Sequence, residues 1–167
     1  MFAQLDTKSV YSFMDSVVDL NSYVARAKEL GYQALGLMDR DNLYAAYHFA
    51  QLASRNGLRP LIGMEANLFY EGRKIPFRLL AKNNQGYKNL MKLATELSSG
   101  QREFTAFSDY LNAIALILPS EDWEPGMTLG SEVFIGVRPE DVGKEFDYPV
   151  VPLHTVRYFE NADRSTI

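Results

Sequence analysis

Apolar positions in this chain alternate between short continuous runs and stripes of helical period, the two rhythms that separate buried strands from amphipathic helices. Phe2-Ala3-Gln4-Leu5 reads as a short first strand. A helix is predicted over 21–30, capped by Asn21, with Val24, Ala27 and Leu30 on its inner face and Gly31 at the C-terminal cap. Residues 34–38 form a buried strand. Asp41 or Asn42 caps a second helix with Leu43, Ala46, Tyr47, Ala50 and Ala53 as its apolar members, and Asn56-Gly57 stops it. A third strand spans 61–70, and Glu71-Gly72 turns the chain back through Ile75 to Ala81. A third helix covers 85–97 behind an Asn83 or Asn84 cap, with Tyr87, Leu90, Met91 and Ala94 inside. Strands at 112–118, 133–137 and 150–153 follow, with a loop at 121–130.

Strand–helix alternation at this spacing predicts a parallel sheet or barrel of βαβ units. The alternation weakens after Gly100, where strands succeed one another with little helix between them. Asn161-Ala162-Asp163 reads as the opening of a further helix, so the chain is expected to be a fragment of a longer polypeptide.

The polar clusters sit where strands are predicted to give way to helices: Gln4-Leu5-Asp6-Thr7-Lys8-Ser9, Met38-Asp39-Arg40-Asp41-Asn42 and Gly63-Met64-Glu65. In α/β folds the loops at such ends converge on one crevice. Asp6, Asp15, Asp39, Asp41 and Glu65 are available there as carboxylates, but no histidine accompanies them. Charged lysine and arginine donate no lone pair, so the pattern is that of a metal-site scaffold poorly equipped to hold metal. Glu65 lies in an otherwise apolar strand and requires a metal, an arginine such as Arg40, or backbone amides, unless it is a solvated strand end. Asp39-Arg40-Asp41-Asn42 is not a calcium loop: Tyr44 and Ala50 stand where a glycine and a glutamate are required, and a helix-capping turn fits better. Neither a glycine-rich phosphate loop nor a Gly-x-Ser-x-Gly elbow occurs. His48 and His154 are too far apart in sequence to form a local ligand pair.

At 167 residues, 47% of them apolar, the chain is long enough for one domain with a proper core. Without cysteine, disulfides, thiolate metal sites and cysteine nucleophiles are excluded. No apolar run is long enough to cross a bilayer and the N-terminus is no secretion signal, so a cytoplasmic protein without membrane partners is expected. A net charge of −4 argues against a free-standing nonspecific nucleic-acid binder. Arg73, Lys74, Arg78, Lys82, Lys88 and Lys92 nevertheless concentrate in one segment. This segment is either a solvated face or a surface, centred on Lys82, Lys88 and Lys92, that meets DNA or an acidic partner.

Five ordered blocks carry a family resemblance. They are Phe2 to Asp15, Gly36-Leu37-Met38-Asp39-Arg40-Asp41-Asn42-Leu43-Tyr44, Pro60-Leu61-Ile62-Gly63-Met64-Glu65, Leu79-Leu80-Ala81-Lys82-Asn83-Asn84-Gln85-Gly86-Tyr87-Lys88-Asn89-Leu90, and His154-Thr155-Val156-Arg157-Tyr158. Together they resemble the PHP (polymerase and histidinol phosphatase) domain at the N-terminus of bacterial replicative DNA polymerase III α subunits of the DnaE type. Residues 101–149 match poorly and look shortened. The resemblance implies a single PHP domain over 1–167, an α/β fold of the PHP-type distorted β/α barrel with about seven strands and helices outside, possibly shortened in its C-terminal half.

Against the family pattern, Gln4, Asp6, Arg40, Pro76, Thr155 and Arg157 stand where ligand histidines or other ligands are expected, while Asp15 and Glu65 remain. These eight are therefore vestigial metal-site positions. The resemblance implies a non-catalytic structural and interaction module, with Lys8, Arg40 and Arg157 filling the cleft against Asp6, Asp15 and Glu65. No cofactor is expected in the domain beyond weakly held magnesium, whereas magnesium is expected for the parent DNA-directed DNA polymerase, a nucleotidyltransferase of DNA replication. The expected partners are the remainder of the polymerase chain, DNA through the full-length protein, and other replisome subunits. The alternative is a residual metal-dependent phosphoesterase or proofreading nuclease using Asp6, Asp15, Asp39 and Glu65.

Overall fold

A computed structural model describes residues 3–12, 16–130 and 132–157. The chain divides into two compact units, residues 1–64 with 154–167, and residues 65–153.

In the first unit, strand β1 (Ala3–Gln4) pairs parallel with β3 (Ala34–Arg40), which is followed in the sheet by β4 (Arg59–Tyr70). A second short strand, β2 (Asp6–Thr7), pairs parallel with β9 (Thr155–Val156), setting Asp6 opposite Thr155. Helix α1 (Leu20–Glu29) turns Tyr23, Val24 and Ala27 inward, and α2 (Ala46–Arg55) contributes Phe49 and Ala53 to the same core with Leu35 and Leu37. The Tyr23 and Phe49 rings stack at 5.9 Å. Gly36 lies where a Cβ would run into the Leu5 carbonyl oxygen, so β3 passes the first polar loop at backbone distance only because that side chain is absent.

Several expectations about helix ends are corrected. Asp19, not Asn21, caps α1: its carboxylate accepts from Asn21 N at 3.0 Å and Ser22 N at 3.2 Å. A charged acceptor at a helix N-terminus also gains from the helix dipole. The second helix starts at Ala46 behind Ala45, which makes no side-chain cap bond. Asn42 instead closes a turn, accepting from Tyr44 N at 3.2 Å and donating to the Arg40 carbonyl at 2.8 Å. Tyr47 faces solvent at 70% exposure, and Phe49 takes an inner position with Ala46 and Ala53.

The second unit carries the remainder of β4, then β5 (Arg73–Ala81), β6 (Ile114–Pro119), β7 (Val133–Val137) and β8 (Val150–Pro152) in that sheet order. The parallel pairing expected of βαβ units holds here in part. The β6–β7 and β7–β8 pairs are parallel, but β5 and β6 run antiparallel with Arg78 opposite Ile117. Helix α3 (Asn84–Ser98) is capped by Asn83, whose side chain accepts from Gly86 N at 3.0 Å. Its buried face is Asn89, Leu90, Leu93 and Leu97, while Met91 is 42% exposed. A 3-10 turn over Phe104–Tyr110 places Phe104 and Phe107 against the core. The α/β class and seven-stranded sheet agree with the sequence expectation. The helix expected from Asn161 lies outside the described residues.

Candidate functional site

The polar cluster of the first unit is assembled by strand pairing. Because β2 lies beside β9, residues from opposite ends of the sequence meet: the Thr155 hydroxyl donates to Asp6 Oδ2 at 2.6 Å. On the other oxygen, Lys8 Nζ donates to Asp6 Oδ1 at 2.7 Å, and it also donates to the Met38 carbonyl at 2.6 Å. Lys8 and Asp6 are both wholly buried. An unpaired charge at such a place would cost several kcal/mol, so each ion is held by the other and by neutral donors or acceptors around it. Gln4 Nε2 closes the edge, donating to the His154 carbonyl at 2.6 Å and the Asp6 carbonyl at 3.2 Å.

Asp39, at the end of β3, is held separately. Ser9 N and Ser9 Oγ donate to its two oxygens at 2.6 Å each, and Ser12 Oγ donates at 2.8 Å. The same Ser12 oxygen accepts from Arg40 N at 3.0 Å, locking the loop to the strand end. Ser16 Oγ donates to the Lys8 carbonyl at 2.6 Å and to the Arg157 carbonyl at 3.0 Å. Nearby, the buried Tyr23 hydroxyl donates to the Gly36 carbonyl at 2.9 Å, and burial raises its pKa well above the usual phenol value.

Within the second unit, Glu65 is buried and its acidic side chain lies 3.4 Å from Arg78 Nη2. Arg78 Nη1 also donates to the Pro76 carbonyl at 2.7 Å. Within its own unit the arginine set beside Glu65 is Arg78, a member of the basic stretch over 73–92. In the sequence Arg78 falls between Phe77 and Leu79; its register opposite Ile117 is what shows it buried.

The other expected positions divide plainly. Arg40 is exposed at the end of β3 and Arg157 is half-buried after β9. Asp15 lies outside the described residues. Lys88 and Lys92 are exposed on α3, whereas Lys82 is bound in an ion pair with Glu132 at 2.7 Å. Ser9 and Ser12 had no assigned role in the sequence reading, although a hydroxyl pair three residues apart ahead of an acidic strand end was the available clue.

Chemically, both oxygens of Asp6 and both of Asp39 already accept short hydrogen bonds from fixed donors. A divalent ion there would have to displace an ammonium that cannot itself be a ligand. Among the described residues, no group of three or more His, Cys, Asp or Glu is placed to hold a metal. The described residues do not fit the metal centre that a phosphoester-hydrolysing scaffold would use, so they carry no hydrolytic step.

The PHP domain family profile matches residues 4–124. The chain belongs to the PHP domain family. This PHP domain is 44% identical over 169 residues to the DNA polymerase III subunit alpha of Streptococcus pyogenes serotype M1, covering 100% of this chain and 16% of that protein. It is 33% identical over 126 residues to the Bacillus subtilis (strain 168) subunit of the same name, covering 72% of this chain and 11% of that one. The homology is to the N-terminal region of these subunits, and the PHP domain spans about a sixth of the length of the first. Among solved structures, an amidohydrolase from Chromobacterium violaceum superposes with a TM-score of 0.49 at 19% identity, covering 59% of this chain and 34% of that one.

Proposed function

We propose that residues 1–167 form a single PHP domain acting as a non-catalytic structural and interaction module of a bacterial replicative DNA polymerase III α subunit. The observation that carries this reading is the Lys8 ammonium, buried between Asp6 Oδ1 and the Met38 carbonyl at 2.7 and 2.6 Å. A resident cation satisfies the carboxylate that an external ion would otherwise be needed to neutralise. The full-length identity to polymerase subunits six times longer supports a place at the start of a larger chain.

On this reading the nucleotidyl transfer, with its magnesium, belongs to the rest of the polypeptide. That remainder is the domain's partner, with DNA reached through the full-length protein and other replisome subunits as further partners, in the cytoplasm. No described helix is long and apolar enough to cross a membrane.

The test is metal analysis of the purified protein together with phosphodiester hydrolysis in added manganese or zinc. Substoichiometric metal and no hydrolysis are expected. Stoichiometric tightly bound metal, with hydrolysis lost in Glu65→Gln, would replace the proposal by a residual phosphoesterase or proofreading nuclease.

A further inference from the structure

The second unit carries a cleft of about 940 Å³ that has no part in the cluster around Asp6. Its floor is apolar: Phe104, Leu116, Leu129 and Val133 are buried there, and Phe69 stands at the lip with 36% exposure. Its rim is acidic. Glu71, Glu103 and Glu132 line it with a single cation, Lys82, which is already spent on Glu132 at 2.7 Å. Among the described residues, Glu71 and Glu103 have no ion-pair partner, so two negative charges remain beside an apolar floor.

The walls are fixed before any ligand arrives. Phe69 N donates to the Arg102 carbonyl at 2.7 Å, Thr128 N donates to the Tyr70 hydroxyl at 3.0 Å, and the Tyr70 and Phe104 rings meet edge-on at 5.5 Å. A preformed cleft binds without the cost of ordering its own loops. The acidic rim repels nucleic-acid phosphates. The polar side chains of the rim are exposed and do not converge from a buried wall, unlike the few fixed polar groups that orient a small molecule in its pocket. An aromatic and aliphatic floor with a charged rim is the anatomy of a protein-binding surface.

We propose that this cleft docks a linear segment of a partner protein in which an aromatic or aliphatic anchor is flanked by lysine or arginine. The anchor packs on the Phe69 and Phe104 side of the floor, and the flanking cations face Glu71 and Glu103. The proposal is independent of the metal question, since it uses none of the vestigial metal-site positions.

Random-peptide display against the intact chain tests it, with enriched peptides remeasured by fluorescence anisotropy. The expected enrichment is an apolar anchor between basic residues. Affinity should fall about tenfold in Glu71→Gln/Glu103→Gln and further in the Lys/Lys double variant, the size set by two exposed charge pairs. Phe69→Asp should weaken binding comparably, and Glu145→Lys, elsewhere on the unit, should leave it unchanged. Circular dichroism melts verify that each variant is folded. Failure to enrich any peptide, enrichment of acidic or uncharged ones, affinities indifferent to the rim and floor substitutions, or occupation of the cleft by a second copy of the chain would each overturn the proposal.

Discussion

Lys8 Nζ and Asp6 Oδ1 lie 2.7 Å apart with neither side chain reaching solvent. Two charges can share such a site only as a pair, because each would otherwise face the full cost of leaving water. Replacing Lys8 by methionine keeps the volume and strands the carboxylate. Lys8→Met should lower stability by about 3–5 kcal/mol in urea unfolding, with Lys8→Met/Asp6→Asn recovering a large share. A single variant within about 0.5 kcal/mol of wild type, the range of ordinary surface substitutions, would show that the pair does not hold the strand ends together.

Asp39 is satisfied by hydroxyls rather than by a cation, which predicts coupling of another kind. Ser9→Ala and Ser12→Ala each remove a bond to the same carboxylate and should cost about 1–3 kcal/mol. Because they share that acceptor, the double variant should depart from the sum of the singles by at least about 0.5 kcal/mol. Strict additivity in a double-mutant cycle would mean the two hydroxyls act independently of Asp39.

Gly36→Ala is a test of the fold that positions both carboxylates. The added methyl would meet the Leu5 carbonyl oxygen, backbone that cannot rotate aside. A loss of about 1–3 kcal/mol or more is expected, as for overpacking in a core. Unchanged thermal unfolding would mean that β3 and the Gln4–Lys8 loop are not pressed together.

How much of this was legible in the sequence follows from which interactions are local. The strands at 34–38, 61–70 and 133–137, and an α3 cap at Asn83 or Asn84, were readable because apolar runs and capping side chains act over a few residues. The Asp6–Thr155 contact spans 149 positions and no local pattern points to it; the family resemblance names both residues only as vestigial metal-site positions. Arg78 was misassigned because composition treats any arginine in a basic stretch as exposed; only the register opposite Ile117 shows it buried. Tyr47 and Met91 were misplaced because an apolar or aromatic side chain on a helix need not fall on its buried face. The inward stripe of each helix is the set that packs, Ala46, Phe49 and Ala53 in α2 and Leu90, Leu93 and Leu97 in α3, while the start of α2 is set by a turn at Asn42 rather than by a cap there.

Acid titration separates one further interaction from the buried pair. Asp141 accepts from Lys144 Nζ at 2.6 Å, from Ser120 Oγ at 2.6 Å and from Arg138 N at 2.9 Å, and these hold its carboxyl well below the ordinary aspartate range. A pKa depressed in the folded state favours the ionised form on folding. Its contribution is therefore present above the unfolded-state value of about 3.9 and disappears as the pH falls toward the folded value. Asp19, held by Ser22 and Asn21, shifts in the same direction, so the wild-type protein has more than one such group. Asp141→Asn should accordingly be less stable than wild type at pH 7, with the difference shrinking as unfolding is followed from about pH 5 to about pH 2. A difference that stays constant across that range would mean that Asp141 supports the Arg138 turn by hydrogen bonding alone, with no contribution from its charge.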